Sequence, residues 1–252
     1  MSAPAARPTV ASFVAPAPLG AGAVALGDEA AHHARVRRLE VGDPVTLRDG
    51  AGAVAEGRIV RLTKAALDVE VEQVAYVPAP PPVHLLAPVG DRDRMLWLAE
   101  KATELGVASW RAVRWQRSRS VSPRGEGEAF AAKVRARTVQ ALAQCEGAWL
   151  PAVLPDVEPE AIADAVPAGR RVVLDAAGEP FNAASLDYAC LVLALGPEGG
   201  LEPAELDALD AAGFRRVRLP GNILRFETAG VVGVAFARAL LEARRVPGHG
   251  SS

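Results

Sequence analysis

Cys190-Leu191-Val192-Leu193-Ala194-Leu195-Gly196-Pro197-Glu198-Gly199-Gly200-Leu201-Glu202-Pro203 decides how the rest of the chain reads. Ala189–Gly196 is almost unbroken apolar sequence, which suits a central strand buried on both faces of a parallel sheet. The chain then turns through Gly196-Pro197-Glu198-Gly199-Gly200 and enters a predicted helix, Glu202–Ala212, with Pro203 at its start and Gly213 at its end. A loop leaving a buried strand for a helix lies at the C-terminal edge of such a sheet, where open α/β folds bind ligands. Its glycines let a backbone approach a ligand, and a tight turn alone would also require them. Glu198 is its one charged side chain.

Outward from this loop, strands and helices alternate. Val83–Val89 reads as a buried strand. A helix follows, capped by Asp91 or Asp93, with Met95, Leu98, Ala102 and Leu105 in one stripe and a stop at Gly106. Val107–Trp115 is a predicted strand and Glu126–Gly147 a long helix with Phe130, Val134, Ala141 and Cys145 inward. Arg171–Ala176 and Val217–Leu219 are further strands, and Thr228–Arg245 is the last helix. Such alternation predicts a parallel sheet covered on both faces. A second loop, Leu219-Pro220-Gly221-Asn222-Ile223-Leu224-Arg225-Phe226-Glu227-Thr228-Ala229, joins the last strand to the last helix. Glu227 or Thr228 is placed to cap that helix. Ile223 and Leu224 either wall a pocket for a flat ring or fill the core, and Arg225–Glu227 also reads as a surface pair. Both loops end strands of one sheet and are expected to face one crevice.

Pro78-Ala79-Pro80-Pro81-Pro82 cannot continue a helix or a central strand and marks a linker. Residues 1–77 before it read mostly as strands: Pro44–Arg48, a turn at Asp49–Gly52, Ala53–Arg61 and the alternating Leu67–Glu72. One helix, capped by Asp28, puts Ala31, Ala34, Arg35 and Arg38 on a face. A small β-barrel with one helix is expected. Residues 83–246 form the second domain and 247–252 a disordered tail.

Of 252 residues, half are hydrophobic and 23% charged; the net charge of -2 excludes a basic protein that coats nucleic acid non-specifically. Basic residues are nevertheless segregated. Ser109–Arg124 carries Arg111, Arg114, Arg117, Arg119 and Arg124 with no acid, and Arg35, Arg37 and Arg38 cluster on the first helix, whereas Asp156 to Asp210 holds 12 acids against 2 Arg. This predicts a basic face, against the alternative of a merely solvated surface. Two cysteines, Cys145 and Cys190, exclude a disulfide framework and a four-cysteine zinc site and read as buried thiols. His32–His33 lacks a third ligand at helical spacing, so no metal is expected. No apolar run reaches membrane-spanning length and no signal-peptide core is evident, so neither a membrane partner nor export is expected and the chain reads as cytosolic.

Leu195-Gly196-Pro197-Glu198-Gly199-Gly200 followed by Leu219 and Ile223-Leu224-Arg225-Phe226-Glu227-Thr228-Ala229 resembles the RsmE-type RNA uridine-N3 methyltransferases of the SPOUT superfamily. Lys101-Ala102-Thr103-Glu104-Leu105-Gly106-Val107, the Gln144-Cys145 step, and His32–Leu39 with Val41-Gly42-Asp43 and Asp49-Gly50 are similar to that family in the same order. The resemblance spans nearly the whole chain; only the two late loops are specific by themselves. It implies an α/β SPOUT-type parallel sheet with a C-terminal trefoil knot, an N-terminal PUA-like β-barrel, an obligate homodimer, and S-adenosylmethionine bound in the knot. Its implied cofactor contacts are Leu174, Leu195, Gly196, Pro197, Glu198, Gly199, Leu219, Ile223 and Leu224. The implied substrate is a uridine of 16S ribosomal RNA in the small subunit, with Arg35, Arg37, Arg38, Arg114, Arg117 and Arg119 as candidate phosphate contacts. The chain departs from the family at Pro220, where Gly is common, at Asn222, where Arg is common, and at Glu146-Gly147-Ala148-Trp149, where an Arg usually follows the Gln-Cys step.

Methylating uridine N3 requires an unpaired base, a group that orients the uracil oxygens, and a proton acceptor. Arg225 is the candidate for the second task, because a guanidinium stays charged and forks toward paired acceptors. Glu227 or Glu198 is the candidate acceptor, and Glu227 reads equally well as a helix cap. Two readings compete with this one: a catalytically silent knotted RNA-binding protein, and a SPOUT methyltransferase with another RNA target. An unrelated nucleotide-using enzyme would need a phosphate-binding turn, which Pro88-Val89-Gly90-Asp91 does not supply.

Overall fold

A computed structural model describes residues 11–118, 122–182 and 190–243. The chain divides into two compact units. The first holds the residues up to Ala79 together with Leu142–Leu150, and the second holds Pro80–Ala141 and the residues from Pro151 on.

The first unit contains strands β1 (Ala11–Val14) and β2 (Gly22–Leu26), helix α1 (Asp28–Val36), and strands β3 (Pro44–Arg48), β4 (Ala53–Leu62) and β5 (Leu67–Tyr76). They form a five-stranded sheet in the order β1-β3-β4-β5-β2, with β1 parallel to β3 and the other pairs antiparallel. Alternation puts Val45, Leu47, Ala55, Ile59, Leu67 and Val69 inside, where Ala31 and Ala34 of α1 join them. Asp28 is not the cap of α1: Gly27 occupies that position and the Asp28 carboxylate accepts the amide of Glu29 instead. The segment Leu142–Leu150 enters this unit by backbone pairing, Leu150 N–H donating to Gly50 O at 2.8 Å and Gly52 N–H to Ala148 O at 2.9 Å.

The second unit runs β6 (Val83–Pro88), α2 (Arg92–Glu104), β7 (Ser109–Val113), α3 (Gly127–Cys145, its last turn in the first unit), β8 (Ala152–Val153), α4 (Ile162–Ala165), β9 (Arg170–Pro180), β10 (Leu191–Leu195), α5 (Pro203–Ala211), β11 (Phe214–Arg218) and α6 (Phe226–Ala243). Its six strands are all parallel, in the order β11-β9-β10-β6-β7-β8. β10 lies inside the sheet, and its pleat splits the core. Leu191, Leu193 and Leu195 face one side with α2 and α6, while Val192 and Ala194 face the other.

Two details set up the sheet's C-terminal edge. β9 pairs with β11 through Val173↔Arg216 and then through Glu179↔Val217, so residues 174–178 leave the ladder on that side. A Cβ at Gly178 would stand 2.6 Å from the backbone of Arg216 and Val217, so this crossing demands glycine. The other is Arg238 of α6, 8% exposed, which donates to the carbonyls of Leu105, Gly106 and Pro81 and closes the C-terminus of α2.

Of the two residues expected to cap α2, Asp91 is the cap, accepting from the amides of Asp93 and Arg94 at 3.1 Å. Other helix ends differ from expectation. α6 starts at Phe226, and its first turn closes through Ala229 N–H on Arg225 O. Glu227 and Thr228 therefore sit inside the first turn and do not cap it. Both cysteines are half-buried, not buried. The expected helix end at Arg245 and the tail 247–252 lie outside the described residues.

Candidate active site

Because β6, β9, β10 and β11 are parallel, their C-terminal ends share one edge of the sheet, and the order reverses there: the chain passes from β9 inward to β10 and then outward to β11. Trp115 fixes the departure of the first loop, its Nε1–H donating to Leu195 O at 2.9 Å. Leu195 itself is 1% exposed, with its side chain in the core. The turn then closes through Gly200 N–H on Pro197 O at 2.8 Å, and α5 is held by a capping box between Glu202 and Glu205.

The structure distributes the candidate cofactor residues over two cavities. Leu174, Leu219, Ile223 and Leu224 line one of about 190 Å³ with Asp175, Asn222 and Ala229. Residues 174–176 reach it because β9 has left its ladder with β11. Pro197, Glu198 and Gly199 line another of about 410 Å³ with Gly90, Asp91, Arg117 and Phe226. Gly196 backs onto Leu201, whose Cγ would lie 3.2 Å from an added Cβ. Ile223 is 92% exposed, an apolar side chain left bare in its loop.

The carboxylates meet at a residue that sequence reading passed over. Arg94, on α2, pairs with Glu198 of the β10 loop and lies 4.0 Å from Glu227 of α6. Glu227 is thus not a surface partner of Arg225. Its side chain is only 12% exposed, and its Oε2 is buried without a hydrogen-bond partner. Arg225 is exposed and lines neither of these cavities. Arg94 was hidden because its partners lie 104 and 133 positions away, and a helix read for its apolar stripe gives no weight to its polar face.

The basic run is also redistributed. Arg114 is surrounded by Asp156 at 2.9 Å, Glu158 at 3.1 Å and Glu126 at 3.5 Å, so its donors face carboxylates. Arg117 donates to Glu202 and to Gly199 O, which makes it a clamp on the β10 loop. Arg119 lies outside the described residues. Arg35 and Arg38 are exposed on and just beyond α1, with Arg37 between them as its C-cap residue. Among the described residues no group of three or more His, Cys, Asp or Glu is arranged to hold a metal ion, and no helix is long and apolar enough to cross a membrane.

A parallel sheet with a crevice at its strand-order reversal, preceded in sequence by a small β unit, defines an α/β protein with a ligand site at its strand ends, and comparison with known proteins makes the class specific. The RNA methyltransferase domain family matches residues 77–238, and the RNA methyltransferase PUA domain matches 26–72. A ribosomal RNA small subunit methyltransferase E of Mycobacterium bovis is 32% identical over 87% of this chain and 88% of its own length. One from Synechocystis is 29% identical over 82% of this chain and 70% of its own. The crystal structure of a ribosomal RNA small subunit methyltransferase E of Neisseria gonorrhoeae, bound to S-adenosyl methionine, superposes with a TM-score of 0.82 at 25% identity, covering 92% of this chain and 98% of that one. This chain belongs to the ribosomal RNA small subunit methyltransferase E family.

Proposed function

We propose that this protein methylates N3 of a uridine in 16S ribosomal RNA, using S-adenosylmethionine. The protein is an S-adenosylmethionine-dependent 16S ribosomal RNA methyltransferase by family; N3 and the residue roles are inferred. The observation that carries the reading is the cavity at the sheet's C-terminal edge between residues 174–176 of β9 and the loop after β11, where Leu174, Leu219 and Leu224 line the wall together with a bare Ile223.

That cavity suits the cofactor. Its leucines and Ile223 offer apolar faces to a flat ring, Asp175 and Asn222 offer polar groups beside it, and a Cβ at Gly221 would meet nothing within 4 Å. Bound there and along the Gly196–Gly199 turn, S-adenosylmethionine supplies a methyl group already activated on a sulfonium. The chain's own residues then hold the unpaired base, orient its oxygens and take its imide proton. Glu227, poorly hydrated beside Arg94, is our choice of proton acceptor, with Glu198 sharing the same guanidinium. Arg225, the sequence's candidate for the uracil oxygens, is exposed just before α6 and lines none of these cavities, so that task passes to donors nearer Glu227.

Further parts of the proposal go beyond the fold described above. The domain limits at 1–77, 78–82 and 83–246 rest on the proline-rich linker, although Leu142–Leu150 groups with the first unit. A trefoil knot in the C-terminal segment and closure of the five-stranded sheet into a barrel rest on the resemblance. A homodimer through α6 is another: Val232, Phe236 and Leu240 there are only partly buried, although Phe236 and Leu240 also lean on the chain's own core. RNA docking through Arg35, Arg37 and Arg38, and a cytosolic setting with the ribosome, complete the reading.

Ile223→Asp tests the cofactor site. At 92% exposure the substitution leaves the fold alone, whereas covering an isoleucine with ligand is worth about 1.5–3 kcal/mol. Calorimetric titration is expected to show S-adenosylmethionine binding tenfold weaker or worse. Parent affinity in this variant would remove the loop from the site.

A further inference from the structure

We propose that the cleft between α2 and the first turn of α6 seats the pyrimidine ring of the substrate, stacked on Trp97 with its imide edge toward Glu227; this rests on the methyltransferase reading above. The cleft, about 340 Å³, is lined by Asp93, Arg94, Trp97, Glu227 and Thr228.

Its wall carries an uncovered aromatic ring. Trp97 is 43% exposed, whereas Trp110 and Trp115 of the same unit are 2% and 0% exposed. Stacking on an aromatic side chain is the general means of holding a base drawn out of its helix, because every base has a π face.

Its depth carries an unmet acceptor. Glu227 Oε2 is buried and receives no hydrogen bond, a state whose desolvation is uncompensated until a donor arrives. The imide edge of uracil offers one N–H between two carbonyl oxygens. Cytosine presents a bare lone pair at the same ring position and would face the carboxylate with repulsion. Arg94 and Thr228, on the same wall, supply donors for the flanking oxygens. The cleft therefore offers acceptor and donors in the pattern that uracil complements.

The placement also fits the cofactor loop. Thr228 lines this cleft and Ala229, its neighbour in α6, lines the cavity of Leu219 and Leu224. One helical turn thus contributes to both walls. Arg94 ties the cleft to Glu198 of the β10 loop.

The test compares full-length parent, Trp97→Ala and Trp97→Phe. Unmethylated small subunits serve as substrate in single-turnover methylation, with calorimetric titration of S-adenosylmethionine and sedimentation alongside. Trp97→Ala is expected to slow methylation about tenfold or more, Trp97→Phe to recover most of it, and cofactor affinity and sedimentation to stay at parent values. Separately, the parent without cofactor is irradiated with 16S ribosomal RNA carrying 4-thiouridine, and the crosslink is expected on the peptide containing Trp97. Parent-rate methylation by Trp97→Ala, or crosslinks confined to other peptides, overturns the proposal. So does equal loss in both variants with altered sedimentation, which would assign Trp97 to an interface between copies of the chain. A parent that neither binds S-adenosylmethionine nor methylates the RNA fails the methyltransferase reading itself, while the crosslink still judges the cleft.

Discussion

Arg94 draws together two carboxylates that the chain delivers from different loops. Its side chain is about one-third exposed and Glu198 more than half exposed, so the pairs add little to folding stability, within about 1 kcal/mol. Their consequence is positional: Glu198 and Glu227 are held on one side of α2, within reach of one guanidinium. Arg94→Ala is therefore expected to melt within a few degrees of the parent and to bind S-adenosylmethionine normally, yet to lose tenfold or more in single-turnover methylation. Arg94→Lys keeps the charge without the fork and is expected to recover only part of that loss. Parent rates in Arg94→Ala would show that the bridge is ornamental. At this scale the sequence was half legible. The glycine turn, the bare Ile223 and both glutamates stand at strand-to-helix junctions, which carry their own signals, whereas Leu174 and Leu219 were named only through the family resemblance, Leu174 lying inside a strand. Arg94 was not legible, because its partners Glu198 and Glu227 lie more than a hundred positions away.

The α2–α6 pairing supports these residues, and it depends on one small side chain. A Cβ at Gly230 would lie 2.7 Å from Leu98 and 2.9 Å from Leu195. In an exposed helix, replacing glycine raises stability; here overpacking opposes that gain. Gly230→Val is expected to destabilise the protein by about 2 kcal/mol, read from the urea midpoint, and a rise in stability would contradict the close approach. The elements themselves were mostly legible where burial is continuous or periodic: β10 as a central strand, the stripe of α2 and the limits of α5. Short β1 and β2 escaped notice, since four- and five-residue strands in an Ala- and Pro-rich stretch carry little period. β9 runs to Pro180, past the Ala176 expected from pattern, because Glu179 and Pro180 rejoin β11 opposite Val217 and Arg218 after the residues between have left that ladder. The attachment of Leu142–Leu150 to the first unit is likewise a matter of long-range backbone pairing, which no local pattern encodes.

At the scale of the whole molecule, near-zero net charge conceals an uneven distribution, and structure changes which arginines count. Arg114 is committed to three carboxylates, while Arg35 and Arg38 are exposed. Replacing Arg35 and Arg38 with Gln is expected to flatten the log–log salt dependence of RNA binding by roughly one unit for each phosphate no longer neutralised. Arg114→Gln is expected to leave the slope unchanged, and the reverse outcome in a filter-binding salt series would return the basic surface to Ser109–Arg124. The central claim is the reaction itself. Its most direct measurement incubates the protein with S-adenosylmethionine and small subunits lacking the modification, then maps the 16S ribosomal RNA by primer extension. N3 lies on the pairing edge of uracil, so its methylation stops reverse transcriptase. We predict a single cofactor-dependent stop at one uridine. A full-length read, or methyl incorporation without any stop, would contradict the account.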